Sequence, residues 1–165
     1  MKILTIAIPS YNSMDYMRNC IESLLPGGED VEILIVDDGS KDDTPAIADE
    51  YQEKYPGIVR AIHQENGGHG EAVNAGLRNA TGFFYKVVDS DDWVDAESYQ
   101  KILAFLKEAM KEEEPLDMLL SNYVYEKVGA KHKKVIQYHS ILPENRYFGW
   151  DEIGHFHASQ NILMH

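Results

Sequence analysis

The sequence is poor in cysteine, in basic side chains and in long apolar runs. Its 165 residues include one cysteine, Cys20, so no intrachain disulfide can form. Lys and Arg total 15 against 28 Asp and Glu, and the net charge of -13 disfavours nucleic acid and anionic membranes as partners. No apolar run approaches the roughly 18 residues of a membrane span, and the apolar start is too short for a secretion signal.

These absences indicate a protein of a reducing cytoplasm, with membrane association only through parts outside this chain. Cys20 lies among Met17, Ile21 and Leu24, which follow helical spacing, so we expect an ordinary core residue. A phosphate-bearing ligand would have to be met locally by a cation, a helix N-terminus or a metal, because the overall field repels it.

Apolar segments alternate with amphipathic segments through residues 1–110. Strands are predicted at 3–8, 31–36, 58–63 and 83–88. Four helices are predicted: one at 14–24, one that begins at Thr44, one that ends at about Asn79, and one at 96–110. In the second of these helices, Thr44 is the expected N-cap and Pro45 suits the first turn. The pattern predicts one α/β domain with a mainly parallel central sheet, helices on both faces, and a ligand crevice at the carboxyl ends of the strands.

The pattern changes after residue 110. Polar and apolar residues alternate at 117–125 and again at 133–138, around a turn at 128–130. This alternation predicts two further strands that pair as an antiparallel hairpin.

An acidic cluster, Asp89, Ser90, Asp91 and Asp92, directly follows the fourth predicted strand. Carboxylates this close together are stable only if they are solvated or share a hard cation. Mg²⁺ typically takes one or two protein carboxylates and fills its other positions with water and substrate phosphates. The cluster is therefore a candidate metal site, and a solvated turn that caps the next helix is the alternative.

The segment Pro9, Ser10, Tyr11 and Asn12 follows the first strand. The ring of Tyr11 could stack on a nucleobase at this position. Alternatively, Tyr11 is an ordinary packed ring and Asn12 caps the following helix.

A carboxylate pair, Asp37 and Asp38, ends the second strand and precedes Gly39. Such a carboxylate could accept a hydrogen bond from a ring N–H or a ribose hydroxyl. The alternative is an Asx turn in which Gly39 supplies the tight backbone conformation.

Together these motifs resemble the family 2 glycosyltransferases. The resemblance spans about residues 3–110 and rests on four ordered motifs: IPSYN at 8–12, VDDGSKDDT at 36–44, ENGGHGEAVNAG at 65–76 and VDSDDW at 88–93. It implies a GT-A fold, an activated sugar donor that is usually a UDP-sugar, and Mg²⁺ or Mn²⁺. It also implies transfer with inversion to a hydroxyl of a carbohydrate or lipid-linked acceptor, in the synthesis of a cell-envelope polysaccharide.

The resemblance also assigns roles to single residues of this chain. Pro9 and Tyr11 would form the base-binding edge, Asp38 would contact the nucleobase, and Asp89 and Asp91 would be the two acids of the DxD motif. The implied donor-binding residues are Pro9, Ser10, Tyr11, Asp38, Asp89 and Ser90, and the implied metal ligands are Asp89, Asp91 and Asp92. These acids would serve the leaving diphosphate through the metal and would not attack the sugar.

One basic residue of the family pattern is missing. Many relatives carry arginine immediately before the asparagine of the Asn-x-Gly motif, where it approaches the donor phosphates, whereas this sequence has Val73 there. The nearest basic groups are His69 and Arg78. The N-terminus of the helix after the glycines could serve in part, and His69 is a lesser candidate because single histidines in such loops are more often solvent-facing.

The general base is the second gap. The family supplies an Asp or Glu well beyond the DxD motif, so we expect the base beyond His165 and an incomplete acceptor-side region at 111–165, after a nucleotide-sugar-binding region at 1–110. Asp151 and Glu152 fit a helix start better than a base. His155 and His157 fit an ordinary histidine pair better than a metal site.

Other functional classes fit less well. A sugar nucleotidyltransferase should carry a glycine- and arginine-rich loop directly after the first strand, where this chain has Pro9 and Ser10. A dinucleotide-binding dehydrogenase would need a third glycine after Gly68 and Gly70, in a loop that follows the first strand. A receiver domain would need a matching lysine. A module that binds nucleotide-sugar without turnover stays open.

Overall fold

The computed structural model describes residues 1–114, 116–126, 133–138 and 142–152. The chain divides into two compact units, Met1–Pro115 and Leu116–His165. The strands and helices of the first unit are β1 (Leu4–Ser10), α1 (Met17–Leu24), β2 (Val31–Asp37), α2 (Thr44–Lys54), β3 (Val59–His63), α3 (His69–Asn79), β4 (Phe84–Val87) and α4 (Ala96–Ala109).

The four strands form one parallel sheet with the order β3-β2-β1-β4. All residues of β1 and β2 are buried, which requires cover on both faces of the sheet and confirms the predicted α/β architecture. The chain winds outward from β1 through β2 to β3 and then returns to place β4 on the other side of β1. The crevice of such a sheet lies at this reversal, beyond the carboxyl ends of β1 and β4.

Helix α3 packs unusually close to the sheet because Gly76 has no side chain. A Cβ at Gly76 would lie 2.6 Å from the Cβ of Ala7 in β1 and 2.8 Å from the hydroxyl of Tyr85 in β4. That hydroxyl donates to the carbonyl of Val73 across 3.0 Å. The glycine of the Asn-x-Gly motif thus fixes the height of α3 above the strands.

The helices of the first two crossovers, α1 and α2, differ slightly from the predicted ones. α1 begins at Met17 rather than at residue 14, because Asn12 adopts a φ of 51° and the next residues form a turn closed on the carbonyl of Ser13. The prediction that Thr44 caps α2 is wrong. Its hydroxyl accepts from the backbone of Ser13 at 2.7 Å, and Asp43 occupies the N-cap position.

At the amino ends of the strands, a buried polar cluster joins β1, β2 and the segment that enters β4. The hydroxyl of Thr5 donates to Glu32 at 2.8 Å and accepts from the backbone of Gly82, also at 2.8 Å. The same Glu32 carboxylate accepts from the backbone of Thr81 at 2.9 Å. These bonds hold the segment that enters β4 and so set the position of the acidic residues that follow that strand.

In the second unit, β5 (Tyr123–Tyr125) and β6 (Lys134–Ile136) pair antiparallel, which confirms the predicted hairpin with shorter strands. The predicted turn of this hairpin, at 128–130, lies outside the described residues. His155 and His157 also lie outside them. Asp151 and Glu152 lie in a short 3-10 helix, Trp150–Glu152, and Glu152 pairs with Arg146 at 2.7 Å. Within the described ranges, no helix has the length and apolar character needed to cross a bilayer.

Candidate functional site

The motifs that the sequence singled out meet at the carboxyl edge of the sheet. β1 and β2 end together, with Ser10 opposite Asp37, and β4 ends beside β1, with Val87 opposite Ala7. The loops that follow these strands carry Tyr11, Asp38 and the acidic cluster. The structure therefore brings the first, second and fourth motifs to one edge, at the reversal of the strand order.

The segment after β1 presents an open aromatic ring. Tyr11 is 50% exposed, so it is not the packed core ring of the alternative interpretation. Asn12 does not cap α1: its side-chain oxygen accepts from the backbone of Lys41 at 2.8 Å and joins this loop to the one after β2. Ser10 is buried, and its carbonyl accepts from the backbone of Asp38 at 2.9 Å.

The two carboxylates after β2 have different roles. Asp37 forms the local turn, since its Oδ1 accepts from the backbone of Ser40 at 3.0 Å, and Gly39 adopts a φ of +72°. A Cβ at Gly39 would lie 2.9 Å from the backbone nitrogen of Asn66, so this position requires glycine for conformation and for space. The Asx-turn interpretation is therefore right for Asp37 and Gly39.

Asp38 instead reaches the glycine-rich loop before α3. Its Oδ1 accepts from the backbone of Gly67 at 2.8 Å and from the amide of Gln64 at 2.7 Å, and its Oδ2 accepts from the backbone of Gly68 at 2.8 Å. The residue is only 2% exposed. Burial by itself raises the pKa of Asp38, but these hydrogen bonds to the ionised form outweigh it and the net pKa is lowered.

These bonds occupy most of the hydrogen-bonding capacity of the Asp38 carboxylate. A carboxylate oxygen has two lone pairs, and Oδ1 already accepts two bonds. A nucleobase N–H could use only the remaining capacity of Oδ2. The link between the second and third motifs, and the role of Gln64 in it, carried no signal in the sequence beyond the order of the motifs.

The acidic cluster forms an open turn. The backbone of Asp92 donates to the carbonyl of Asp89 at 2.9 Å, and the carboxylates of Asp89, Asp91 and Asp92 reach solvent. The turn does not cap α4, since that helix is capped by Asp95, whose Oδ1 accepts from the backbone of Ser98 at 2.9 Å. The capping part of the alternative interpretation is therefore wrong.

Buried side chains hold the turn from behind. The Ser90 hydroxyl lies 2.8 Å from the hydroxyl of Ser13, and both residues are buried. Cys20 is fully buried, as predicted, and its thiol donates to the carbonyl of Asp89 at 3.5 Å. Burial, together with the nearby carboxylates, raises the pKa of this thiol to about 12. Ser13 was missed by sequence reasoning, because nothing in the sequence relates it to a residue 77 positions away.

The carboxylates suit a metal site that a ligand completes rather than a closed one. Within the described ranges, no three His, Cys, Asp or Glu side chains are gathered closely enough to hold a metal by themselves. Mg²⁺ commonly binds proteins through one or two carboxylates, with water and substrate phosphates as its other ligands. Asp89, Asp91 and Asp92 could supply such a partial set, since they lie within four consecutive residues and are open to solvent.

His69 brings the third motif beside the acidic cluster. It is the first residue of α3, and its Nε2 lies 3.8 Å from Oδ1 of Asp89. Its side chain is 65% exposed. Arg78, the other basic candidate, lies in the last turn of α3 and pairs with Glu71.

A second histidine, His63 at the end of β3, lies between two carboxylates. Its Nδ1 is 3.2 Å from Asp37, and its Nε2 is 3.1 Å from Asp49 of α2. Partial burial lowers the pKa of His63, but the two carboxylates raise it more, so the net pKa is above the ordinary value. The imidazolium form therefore ties β2, β3 and α2 together.

Protonated His63 is expected to stabilise the fold at acidic pH. A raised folded-state pKa gives a contribution that is present below the unfolded pKa of about 6.5 and is lost as pH rises through the folded pKa. From about pH 6 to about pH 9 the wild type should lose more unfolding free energy than His63→Gln. Urea unfolding of both proteins at each pH measures this, and parallel curves would contradict it.

Comparison with known proteins identifies the family. Residues 5–161 match the sequence profile of Glycosyl transferase family 2. The chain belongs to this family. The expectation from the four motifs is thereby confirmed.

Proteins of other bacteria are similar to this chain. EpsH of Bacillus subtilis (strain 168), named as a glycosyltransferase, is 36% identical over 124 residues, which cover 74% of this chain and 34% of EpsH. Chondroitin synthase of Escherichia coli is 39% identical over 102 residues, which cover 61% of this chain and 15% of that protein. This chain thus spans about a third of EpsH and less of the synthase.

The fold has a counterpart among solved structures. The crystal structure of TarS residues 1–349 from S. aureus in complex with UDP-GlcNAc matches with a TM-score of 0.58 and 34% sequence identity. The match covers 67% of this chain and 32% of the TarS chain. The GT-A fold expected from the motifs is thereby confirmed.

Proposed function

We propose that this chain binds a nucleotide-diphosphate sugar, with UDP as the nucleotide, for transfer of the sugar with inversion to a hydroxyl of a carbohydrate or lipid-linked acceptor. The observation that carries the proposal is the meeting of Tyr11, the loop held by Asp38 and the acidic cluster at the reversal of the strand order. Ligands of doubly wound sheets bind at such reversals. The similarity to TarS, which was crystallised with UDP-GlcNAc, supports a UDP-sugar.

Within this proposal, residues 1–110 form the nucleotide-sugar-binding region and residues 111–165 belong to the acceptor side. Pro9, Ser10 and Tyr11 form the base-binding edge, where the exposed ring of Tyr11 stacks on the base. Asp38 shapes the same edge through the glycine-rich loop. Ser90 supports the donor from behind, through its hydrogen bond to Ser13.

A divalent cation, Mg²⁺ or Mn²⁺, belongs to the proposed site. Bound between protein and donor, it would neutralise the charge that develops on the leaving diphosphate. Asp89, Asp91 and Asp92 would hold it, and their solvent-facing carboxylates leave room for phosphate oxygens. The setting we propose is the cytoplasmic synthesis of a cell-envelope polysaccharide, in line with the acidic surface and the single buried cysteine.

Metal-dependent UDP binding tests the proposal. We expect UDP to raise the melting temperature of the chain when Mn²⁺ or Mg²⁺ is present and to have no effect in EDTA. A ligand at 100 times its Kd contributes about 2.7 kcal/mol to stability, which a thermal scan resolves readily.

The variant Asp91→Ala should lose this metal-dependent shift, because it removes a carboxylate from the cation. The matched control is Asp15→Ala, which removes the same charge from the groove between α1 and α2 and should keep the full shift. A full shift in Asp91→Ala would reject the metal assignment. A wild-type chain that UDP fails to stabilise with either metal would reject the donor site itself.

A further inference from the structure

The acidic cluster has no arginine partner for a diphosphate, and Lys86, a lysine that interacts electrostatically with Asp89 and Asp92, lies within β4 rather than in the loop after it. A divalent cation held by Asp89, Asp91 and Asp92 would leave one negative charge before the donor adds its own. Arginine is the usual bidentate partner of phosphate. Each arginine of residues 1–114 is already paired with a glutamate, and the pairs are Arg18 with Glu50, Arg60 with Glu32, and Arg78 with Glu71.

Four backbone amides around the start of α3 are already committed, two before the helix and two in its first turn. The N–H groups of Gly67 and Gly68 donate to Asp38, and those of Glu71 and Ala72 donate to the carbonyl of Gly68. Backbone groups that already have partners cannot bind a phosphate without breaking those bonds. A phosphate contact at this end of α3 is therefore left to the amides of His69 and Gly70 and to a side chain.

His69 is that side chain. Gly68 precedes it with a φ of +85°. One bond to Asp38 comes from Gly68 and another from Gly67, so the backbone that enters the first helical residue has a defined position. The imidazole Nε2 lies 3.8 Å from Asp89, too far for a direct hydrogen bond. Because the ring is largely exposed at this place, an oxygen of a ligand bound at Asp89 comes within reach of Nε2.

We propose that His69 donates a hydrogen bond from Nε2 to a phosphate oxygen of the nucleotide diphosphate, and that Asp38 positions it through Gly67 and Gly68. The proposal rests on the proposed function and names the protein group that meets the leaving phosphate. His69 forms no covalent bond in this role. Its N–H stabilises charge on the departing diphosphate from beside Asp89.

Binding of UDP and of uridine by His69 variants separates this contact from the rest of the site. In Mn²⁺, His69→Ala should weaken UDP binding roughly tenfold, the size of one charge-assisted hydrogen bond. Uridine binding should stay unchanged, because uridine has no phosphate. His69→Arg should keep UDP affinity within about threefold of the wild type, since guanidinium also donates to phosphate. Titration calorimetry gives the affinities.

Arg78→Ala is the matched control, because it removes a basic side chain from the far end of the same helix. It should leave the ratio of UDP to uridine affinity unchanged. Equal UDP affinity in His69→Ala and wild type would overturn the His69 contact and leave the proposed function standing. An equal loss of uridine affinity would show a purely structural role and overturn it too. Failure of the wild type to bind UDP would overturn both proposals.

Discussion

Replacing Asp38 with alanine is expected to lower the free energy of unfolding by about 3 kcal/mol, because it leaves buried backbone N–H groups without acceptors. The amides of Gly67 and Gly68 and the side chain of Gln64 all donate to this one carboxylate. Urea unfolding of wild type and Asp38→Ala measures the loss. UDP affinity in Mn²⁺ should fall with it, since the loop that begins α3 loses its anchor.

The stabilisation by Asp38 also has a predictable pH dependence. Its folded-state pKa is lowered, so the contribution is present above the unfolded-state pKa of about 3.9 and is lost as pH falls through the folded-state value. Asp38→Ala should therefore approach wild-type stability only in strong acid. A constant difference between the two proteins down to the lowest pH at which both fold would contradict the charged hydrogen-bonded role.

Asp38→Asn shows whether this residue touches the base or acts through the loop. The uracil ring offers an N–H donor where cytosine has an acceptor, and the change from carboxylate to amide adds a donor. Direct contact would shift the UDP-to-CDP preference toward CDP. If Asp38 acts through Gly67 and Gly68, Asp38→Asn lowers the affinities for UDP and CDP together and leaves the ratio of the two affinities unchanged. This is the result we expect. Asp43→Asn, an exposed acid in the next turn, is the control and should change neither affinity.

The fold could be predicted because local pattern and tertiary structure agree. Each strand of the sheet is a short, mainly apolar run, and each following helix carries an apolar face, so the βα alternation specifies the winding. Boundaries shifted where tertiary bonds decided them. β1 extends to Ser10 because its last residues pair with β2, and α1 starts late because the chain turns at Asn12 and Ser13.

For the candidate site, the sequence could predict only which residues follow the ends of the strands. The sequence places Tyr11, Asp38 and Asp89 at the carboxyl edge, because each follows a strand of a parallel sheet. The bonds that join the motifs could not be predicted. Ser90 meets Ser13 across 77 positions of sequence, and Asp38 meets Gly67 across 29. Such bonds depend on packing distances that composition and periodicity do not encode.

Gly82→Ala is expected to be the most damaging single change at the amino ends of the strands, away from the candidate site. The added Cβ would lie 2.5 Å from the backbone nitrogen of Thr5 and 2.8 Å from the backbone carbon of Leu4. Backbone of a central strand cannot move aside easily, so we expect a loss of about 3 kcal/mol in unfolding free energy. The shift would also break the Gly82 bond to Thr5, which holds the entry to β4.

The damage should reach the donor site, because β4 leads directly into Asp89. A displaced β4 moves the acidic turn away from the loop after β1, so Gly82→Ala should also lose part of the metal-dependent UDP shift. Gly70→Ala is the matched control for stability. A Cβ there meets nothing within 4 Å, and alanine suits a helix better than glycine by about 0.5–1 kcal/mol. The same substitution should thus stabilise at Gly70 and destabilise at Gly82. Equal melting temperatures for the two variants would contradict the close approach of Gly82 to the start of β1.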